Sequence, residues 1–361
     1  MKIQAQPSTR GIALIIVMMV IVVFSVLAAG FAYSMKVEMK LAQNVDSESE
    51  MEWLGRSGVE LGRYVLAQQL NCPNEPYDAL NQKWAGGAGG NCSTNGPMTD
   101  ISLENVQLGR GRFSVKIADL ERKVNINLAI NSPELIKQAL HSMAVDSFTA
   151  STIADSIEDW YDPNNSPHPN GAESDYYLNL TPPYVAKDGP FDDISELLLV
   201  RGVTEELYWG PGRTHRATQP ARPTAPGMPQ MLDQEYAYGL VDLFSSLGRL
   251  QININTASAG VLQLVPGIDA TMAARIVKER AGLDGMDGTE DDTPFHNPAE
   301  IGPLVGLAPT TASQLTRYCG VRSFTFEITV DIAIDQYRRR LVALVLRNSP
   351  RDVPVLNMHW E

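Results

Sequence analysis

At 361 residues the chain is long enough for roughly two or three domains of ordinary size. Its 29 Lys and Arg against 42 Asp and Glu leave a net charge of −13. That balance argues against a dedicated nucleic-acid binder, whose affinity rests on cations displacing counterions, and 44% apolar with 20% charged residues excludes wholesale disorder. The charge is unevenly placed. Residues 1–40 hold Lys2, Arg10, Lys36 and Lys40 against Glu38, a net of +3, so the rest of the chain carries −16.

No residue between Gly11 and Met35 is charged, and residues 12–33 are almost entirely apolar. As a helix they span roughly 33 Å, enough to cross a hydrocarbon core. A cleaved secretory signal is the rival reading, but its apolar region normally runs about 7–15 residues; Ala28, Gly30 and Ala32 leave such a cleavage open. Flanking charge does not orient the segment, because Lys2 and Arg10 face Lys36 and Lys40. The leader, residues 1–11, has two cations and no acid and ends in Arg10-Gly11 directly against the apolar run. It resembles the leader of type IV pilins and pseudopilins. The resemblance implies cleavage by prepilin peptidase between Gly11 and Ile12, and methylation of the new terminus. Most of that superfamily carries a Glu at the fifth mature position, where this chain has Ile16. A carboxylate in a bilayer needs a partner, in ordinary pilins the amine of an adjacent subunit. Its absence is expected of a subunit at the tip of a fibre.

Beyond the apolar run, Met51, Leu54, Gly58, Leu61 and Val65 recur at helical spacing, with charged residues elsewhere. An unbroken helix over 12–70 would be roughly 88 Å long, although Gly55, Gly58 and Gly62 lower helix propensity and leave a bend or break open. Cys72 and Cys92 flank a loop rich in Gly, Asn and Pro. An exported body lies in an oxidising compartment, so a Cys72–Cys92 disulfide is expected, worth about 3 kcal/mol on the chain-entropy model; two free thiols are the alternative. Cys319 reads as a small buried residue.

The middle of the chain repeats itself. Lys123-Val-Asn-Ile-Asn-Leu-Ala129 is echoed by Gln251-Ile-Asn-Ile-Asn-Thr-Ala257. Each is followed by helical patterns, an acidic turn-rich loop (161–190 and 282–294), and then a Phe, a Glu and a Gly: Phe191, Glu196, Gly202 and Phe295, Glu300, Gly306. This predicts a duplicated helical domain, joined by a Pro-rich connector over 210–230. Alternating segments flank it, at 111–118, 323–334 and 337–346, with Asp335-Gln336 where a hairpin turn belongs.

Within the second unit, residues 253–277 are similar to a helix–hairpin–helix, with Pro266-Gly267-Ile268 as the hairpin. The same pattern occurs in the competence DNA-receptor family, which gives an alternative: a membrane-anchored periplasmic DNA receptor. Asp269 and the acidic loop after it weigh against phosphate there, and Arg275, Lys278 and Arg280 read as a solvated helix face.

The whole layout resembles the type II secretion minor pseudopilin K family over roughly residues 8–350. The most specific match is Glu158-Asp-Trp-Tyr-Asp162, Gly171-Ala-Glu-Ser-Asp-Tyr-Tyr177, Pro182-Pro-Tyr184, Gly189-Pro-Phe191, Ser195-Glu-Leu-Leu-Leu-Val-Arg-Gly-Val203 and Leu207-Tyr208. The implied fold is α+β: a pilin-like long N-terminal transmembrane helix packed on an antiparallel sheet, with a large duplicated all-α domain inserted between strands. The corresponding divisions are a leader over 1–11, a transmembrane helix over 12–35, a pilin-like part over 36–122, an inserted domain over 123–322 (half-units 123–209 and 251–320, connector 210–250) and final strands over 323–361. The resemblance implies a non-enzymatic, single-pass inner-membrane protein with a periplasmic body at the tip of the pseudopilus. Its partners would be the minor pseudopilins I and J, the major pseudopilin, the inner-membrane assembly platform and prepilin peptidase, and no nucleic acid.

The acidic loops are candidates for a cation. Asp284, Asp287, Glu290, Asp291 and Asp292 crowd one; Asp159, Asp162, Glu173 and Asp175, with Asn164 and Asn165, lie in or beside the other. Oxygen-rich flexible loops suit Ca²⁺ better than Mg²⁺ or Zn²⁺, and the family resemblance implies structural calcium in the helical domain without saying which carboxylates hold it. Solvated acidic turns are the plain alternative. The five histidines are scattered, and no nucleophile–base spacing, phosphate loop or zinc signature emerges.

Overall fold

A computed structural model of the chain describes residues 10–87, 90, 92, 96, 98–211, 238–307 and 315–361. Most of the predicted leader (1–9) and most of the Pro-rich connector (212–237) lie outside the described residues. Helix α1 runs unbroken from Arg10 to Gln69, 60 residues or roughly 90 Å. Residues 13–42 are exposed along their whole length, and this helix is the one stretch among the described residues long and apolar enough to cross a membrane.

From Met51 onward α1 turns one face to a sheet, burying Met51, Leu54, Val65 and Leu66. The three glycines lie where the sheet comes closest. A Cβ at Gly58 would fall 2.5 Å from Val330 Cγ1, and at Gly55 and Gly62 it would fall 2.8 and 2.9 Å from Leu341 and Ile328 side-chain carbons. The break left open by these residues does not occur, because close packing outweighs a propensity cost of about 1 kcal/mol per glycine. Gly58→Val is expected to lower stability by about 1–3 kcal/mol, read as a shifted urea midpoint of the full chain in non-ionic detergent. An unshifted midpoint would show that helix and sheet do not pack here.

The sheet has five antiparallel strands in chain order: β1 (Val106–Leu108), β2 (Gly111–Asp119), β3 (Thr325–Ile334), β4 (Tyr337–Leu346) and β5 (Val355–Trp360). Period-two alternation points Phe113, Val115, Ile117, Ile328, Val330 and Ile332 inward. Asp335-Gln336 is the β3–β4 turn, with Ile334 paired to Tyr337. Cys72 and Cys92 are joined in a disulfide with Cα atoms 5.8 Å apart, beside buried Trp84, whose ring meets Phe326 edge-on at 5.3 Å.

Asp119, the last residue of β2, pairs with Phe326 in β3. The helical insert therefore leaves and re-enters through neighbouring strands, and a buried polar network closes that junction. Asp119 accepts hydrogen bonds from Thr256 Oγ1 (2.5 Å), Ser323 Oγ (2.6 Å) and Asn253 Nδ2 (3.3 Å). Asp78 accepts from Ser323 N at 2.9 Å and pairs with Arg347. Glu121 accepts from the amides of Phe324 and Arg249. Burial, reinforced by Asp119, pushes Glu121 up to about 7, although those amides and the Arg249 charge pull the other way; burial also raises Asp119. A carboxyl raised on folding holds its proton more tightly in the native state. Its contribution is therefore complete below the ordinary value of 4.5 and is lost as pH rises through about 7. Glu121→Gln is expected to gain on the native chain, by a few kcal/mol, between pH ~4.5 and ~7 in urea titrations. A stability difference that stays constant with pH would refute this.

Candidate cation site

The insert is built twice on one plan. Asn125 Oδ1 accepts from the Asn127 amide, and Asn253 Oδ1 from the Asn255 amide, each at 3.0 Å. The second Asn of each pair then clasps the Phe beyond its acidic loop. Asn127 Nδ2 donates to Phe191 O (2.9 Å) and its Oδ1 accepts from Phe191 N (2.8 Å). Asn255 makes the same two bonds with Phe295, both at 2.9 Å. Each acidic loop is thus pinned at its far end, but the two loops differ in length and in what holds their carboxylates.

In the first unit, helices α2 (Pro133–Ser142) and α3 (Ser147–Tyr161) pack together. Asp146 caps α3 by accepting from the amides of Phe148 and Thr149. Ile153, Ala154, Ile157 and Trp160 face the core, which turns Asp155, Glu158 and Asp159 toward the following loop. Asp159 is fully buried. Its carboxylate accepts from the His168 amide at 3.0 Å and lies 2.5 Å from His168 Nδ1, which raises the His168 pKa. Glu158 stands 3.3 Å from His168 Nε2, and Asp155 accepts both the amide and side-chain N–H of Asn170 at 3.1 Å. Gly171 must be glycine here, since a Cβ would fall 1.9 Å from Asp159 Oδ2.

Glu173 is the outlier. It is 5% exposed, and both carboxylate oxygens are buried without a hydrogen-bond partner among the described residues. Burial, then the negative charges of Asp159, Asp162 and Asp188, push it up to about 7. One ligand atom each of Asp159, Asp162 and His168 lies within 4.8 Å of the others. A buried carboxylate facing other carboxylates, with no donor of its own, has the chemistry of a cation's ligand. Hard oxygen donors dominate the set, which favours Ca²⁺ over a thiophilic or imidazole-seeking metal. Around them, Trp160, Tyr177 and Tyr184 form an aromatic wall with ring centroids 5.2–6.3 Å apart. Arg201 closes it by donating to Gly171 O at 2.9 Å and stacking over Tyr176.

Asp175 is exposed and lies outside this cluster. Asn164 is occupied with the Asp162 carboxylate at 2.6 Å. His168 carried no signal in the sequence beyond its place in a Pro-His-Pro turn, and Asp188 none beyond its acidic context.

In the second unit the four aspartates already have partners. Asp287 receives a bidentate guanidinium from Arg280, at 2.9 and 2.8 Å. Asp291 accepts from the amides of Leu283 and Asp284 and from Thr289 Oγ1. Asp292 accepts from the amides of Gly288 and Thr289, Asp284 from that of Met286, and Glu290 is exposed. Arg280, at the end of helix α4 (Ala270–Arg280), is not on a solvated face. It is 4% exposed and also donates to the carbonyls of Ile254 and Ala257 at 2.7 and 2.6 Å. This loop carries its own cation.

The hairpin ahead of α4 has Gly267 at φ 91° and Ile268 buried. Asp269 takes the amide of Met272 at 2.8 Å, placing a carboxylate at the helix N-terminus where a phosphate would have to sit. Cys319 is buried, and burial pushes its thiol up to about 12, so it is unreactive at neutral pH.

Residues 122–209 match the family model of type II secretion system protein K, and residues 249–319 match that of the helix-hairpin-helix motif. The chain is 24% identical to type II secretion system protein K of Pseudomonas aeruginosa over 359 residues, covering 96% of this chain and 91% of the relative. It is 26% identical to the protein of that name from Aeromonas hydrophila, over 56% of this chain and 62% of the relative. Its fold is similar to a chain in the crystal structure of the GspK-GspI-GspJ complex from enterotoxigenic Escherichia coli, with a TM-score of 0.63, 20% identity, and coverage of 89% of this chain and 99% of that one.

Proposed function

Because this chain belongs to the type II secretion protein K family, we propose that it is a minor pseudopilin at the tip of the pseudopilus, acting by assembly rather than catalysis. The observation that carries this reading is the pairing of a pilin-like helix-on-sheet stem with a duplicated helical insert between β2 and β3. So large a head would obstruct subunits stacked above it, which suits a terminal position. The minor pseudopilins I and J are its proposed neighbours, by analogy with the GspK-GspI-GspJ complex. The major pseudopilin and the inner-membrane assembly platform would follow as the fibre grows. In this reading α1 anchors the chain in the inner membrane with the head in the periplasm, and prepilin peptidase cleaves between Gly11 and Ile12.

N-terminal sequencing of the protein from wild-type and peptidase-deficient cells tests the processing step. A mature start at Ile12 in the former only is the expected result; a start near Tyr33 would mark an ordinary exported protein. Calcium is the proposed structural ion, held by Asp159, Asp162 and Glu173 with His168 orienting Asp159, and supported by the unpartnered Glu173 oxygens. Such an ion neutralises the facing carboxylates and ties the end of α3 to its loop.

A further inference from the structure

The sheet face turned away from α1 bears a concentration of arginine on an otherwise acidic protein. The register places Arg112 of β2 beside Ala333 of β3, and Ala333 beside Arg338 of β4. Two guanidinium side chains therefore rise on either side of a methyl-sized floor, with their backbones roughly 10 Å apart across two strand spacings. The next row along is Ser114, Asp331 and Arg340. Arg340 is engaged by Asp331 at 2.8 Å and by Glu361 at 3.5 Å, and Lys116 reaches Asp331 at 3.9 Å. Arg112 and Arg338 are both exposed. Among the described residues neither has a hydrogen-bond or ion-pair partner, although both line a groove of about 610 Å³ with Asn105, Ser114 and Arg340.

We propose that this groove is a docking surface for an extended acidic segment of a partner protein, with Arg112 and Arg338 as the recognising pair. The planar guanidinium fork matches a carboxylate bidentately, and two forks flanking a small residue leave room for one carboxylate side chain between them. Asp331 and Glu361 neutralise Arg340, so the free positive charge is confined to the Arg112–Arg338 row. The −13 net charge repels long polyanions, whereas a short acidic strand meets only the local field. A peptide therefore fits better than a nucleic acid. This surface lies outside the cation site and does not depend on the position of the chain in a fibre.

The test is fluorescence anisotropy of a labelled Glu-rich decapeptide with the full chain in non-ionic detergent, at low salt. Saturable binding is expected, weakened at least tenfold by Arg112→Glu/Arg338→Glu and unchanged by Arg275→Glu/Lys278→Glu, which makes the same charge change on α4. Arg112→Gln/Arg338→Gln, with its melting temperature checked against the native chain, separates lost recognition from lost folding and should also weaken binding. Absence of saturable binding, equal loss in the α4 variant, or equally tight binding of a single-stranded oligonucleotide would overturn the proposal.

Discussion

Arg347→Met is expected to lower stability by about 3–5 kcal/mol, because it strands a buried carboxylate. Arg347 and Asp78 are 1% and 2% exposed. The guanidinium pairs with Asp78, donates to Ser323 O at 2.6 Å and to Leu66 O at 3.4 Å, and lies over the Phe326 ring. One side chain thereby links α1, the disulfide-bearing loop, the returning end of the insert and β3. Among the described residues, removing it leaves Asp78 with the Ser323 amide alone on its carboxylate, in a site where ionisation then costs several kcal/mol. Replacing both partners is different in kind. Arg347→Met/Asp78→Leu removes both charges together and should recover most of the loss, since apolar substitutes for a buried pair are often near neutral. Urea midpoints of the full chain in detergent read both effects. A loss below about 1 kcal/mol for the single variant, or a double variant no better than the single, would show that the pair does not behave as a buried one.

If Asp159, Asp162 and Glu173 hold calcium as proposed, its withdrawal is the second large effect expected. With Ca²⁺ about 100-fold above its dissociation constant, linkage adds about 2.7 kcal/mol to the folded state, and EGTA should therefore lower the melting temperature by several degrees. Asp159→Asn should abolish that response. Glu173→Gln should weaken it and, in EGTA, should be at least as stable as the native chain, because it removes a buried negative charge that has no donor among the described residues. Asp291→Asn and Asp292→Asn should leave the calcium response intact, since amides and Thr289 already hold those carboxylates. A melting curve indifferent to EGTA would sink the calcium assignment. A response lost equally in the second-loop variants would move it to the other unit.

What could be read from the sequence is what shows as a local pattern. The length of the apolar run, the helical stripe Met51, Leu54, Gly58 and Val65, the alternation in β2 and β3, and the Asn-x-Asn echo needed no knowledge of distant contacts. The partners of those residues could not be read. The Phe clasped by each Asn lies 64 or 40 residues further on, and nothing in Asn127 alone points to Phe191. The glycines of α1 signalled weakness by propensity, whereas their role is set by β-branched and leucine side chains more than 260 residues away. Composition alone did not say which acidic loop is internally neutralised. Only the burial of Arg280 against Asp287, and the isolation of Glu173, separate a loop that is internally neutralised from one that is not. His168 was invisible as a lone histidine because its significance comes from Asp159, one helix end away.

The insert's entry and exit on adjacent, paired strands make it a removable module. Asp119 and Phe326 are already across from one another, so a tight turn could join β2 directly to β3 and restore a plain hairpin without moving any other strand. The bare stem would keep α1, its glycine face and all five strands. Evolution could therefore have added the head by insertion at a single hairpin, leaving the older packing between helix and sheet intact. The cost would fall on Asp119 and Glu121, whose burial makes sense only with the head in place.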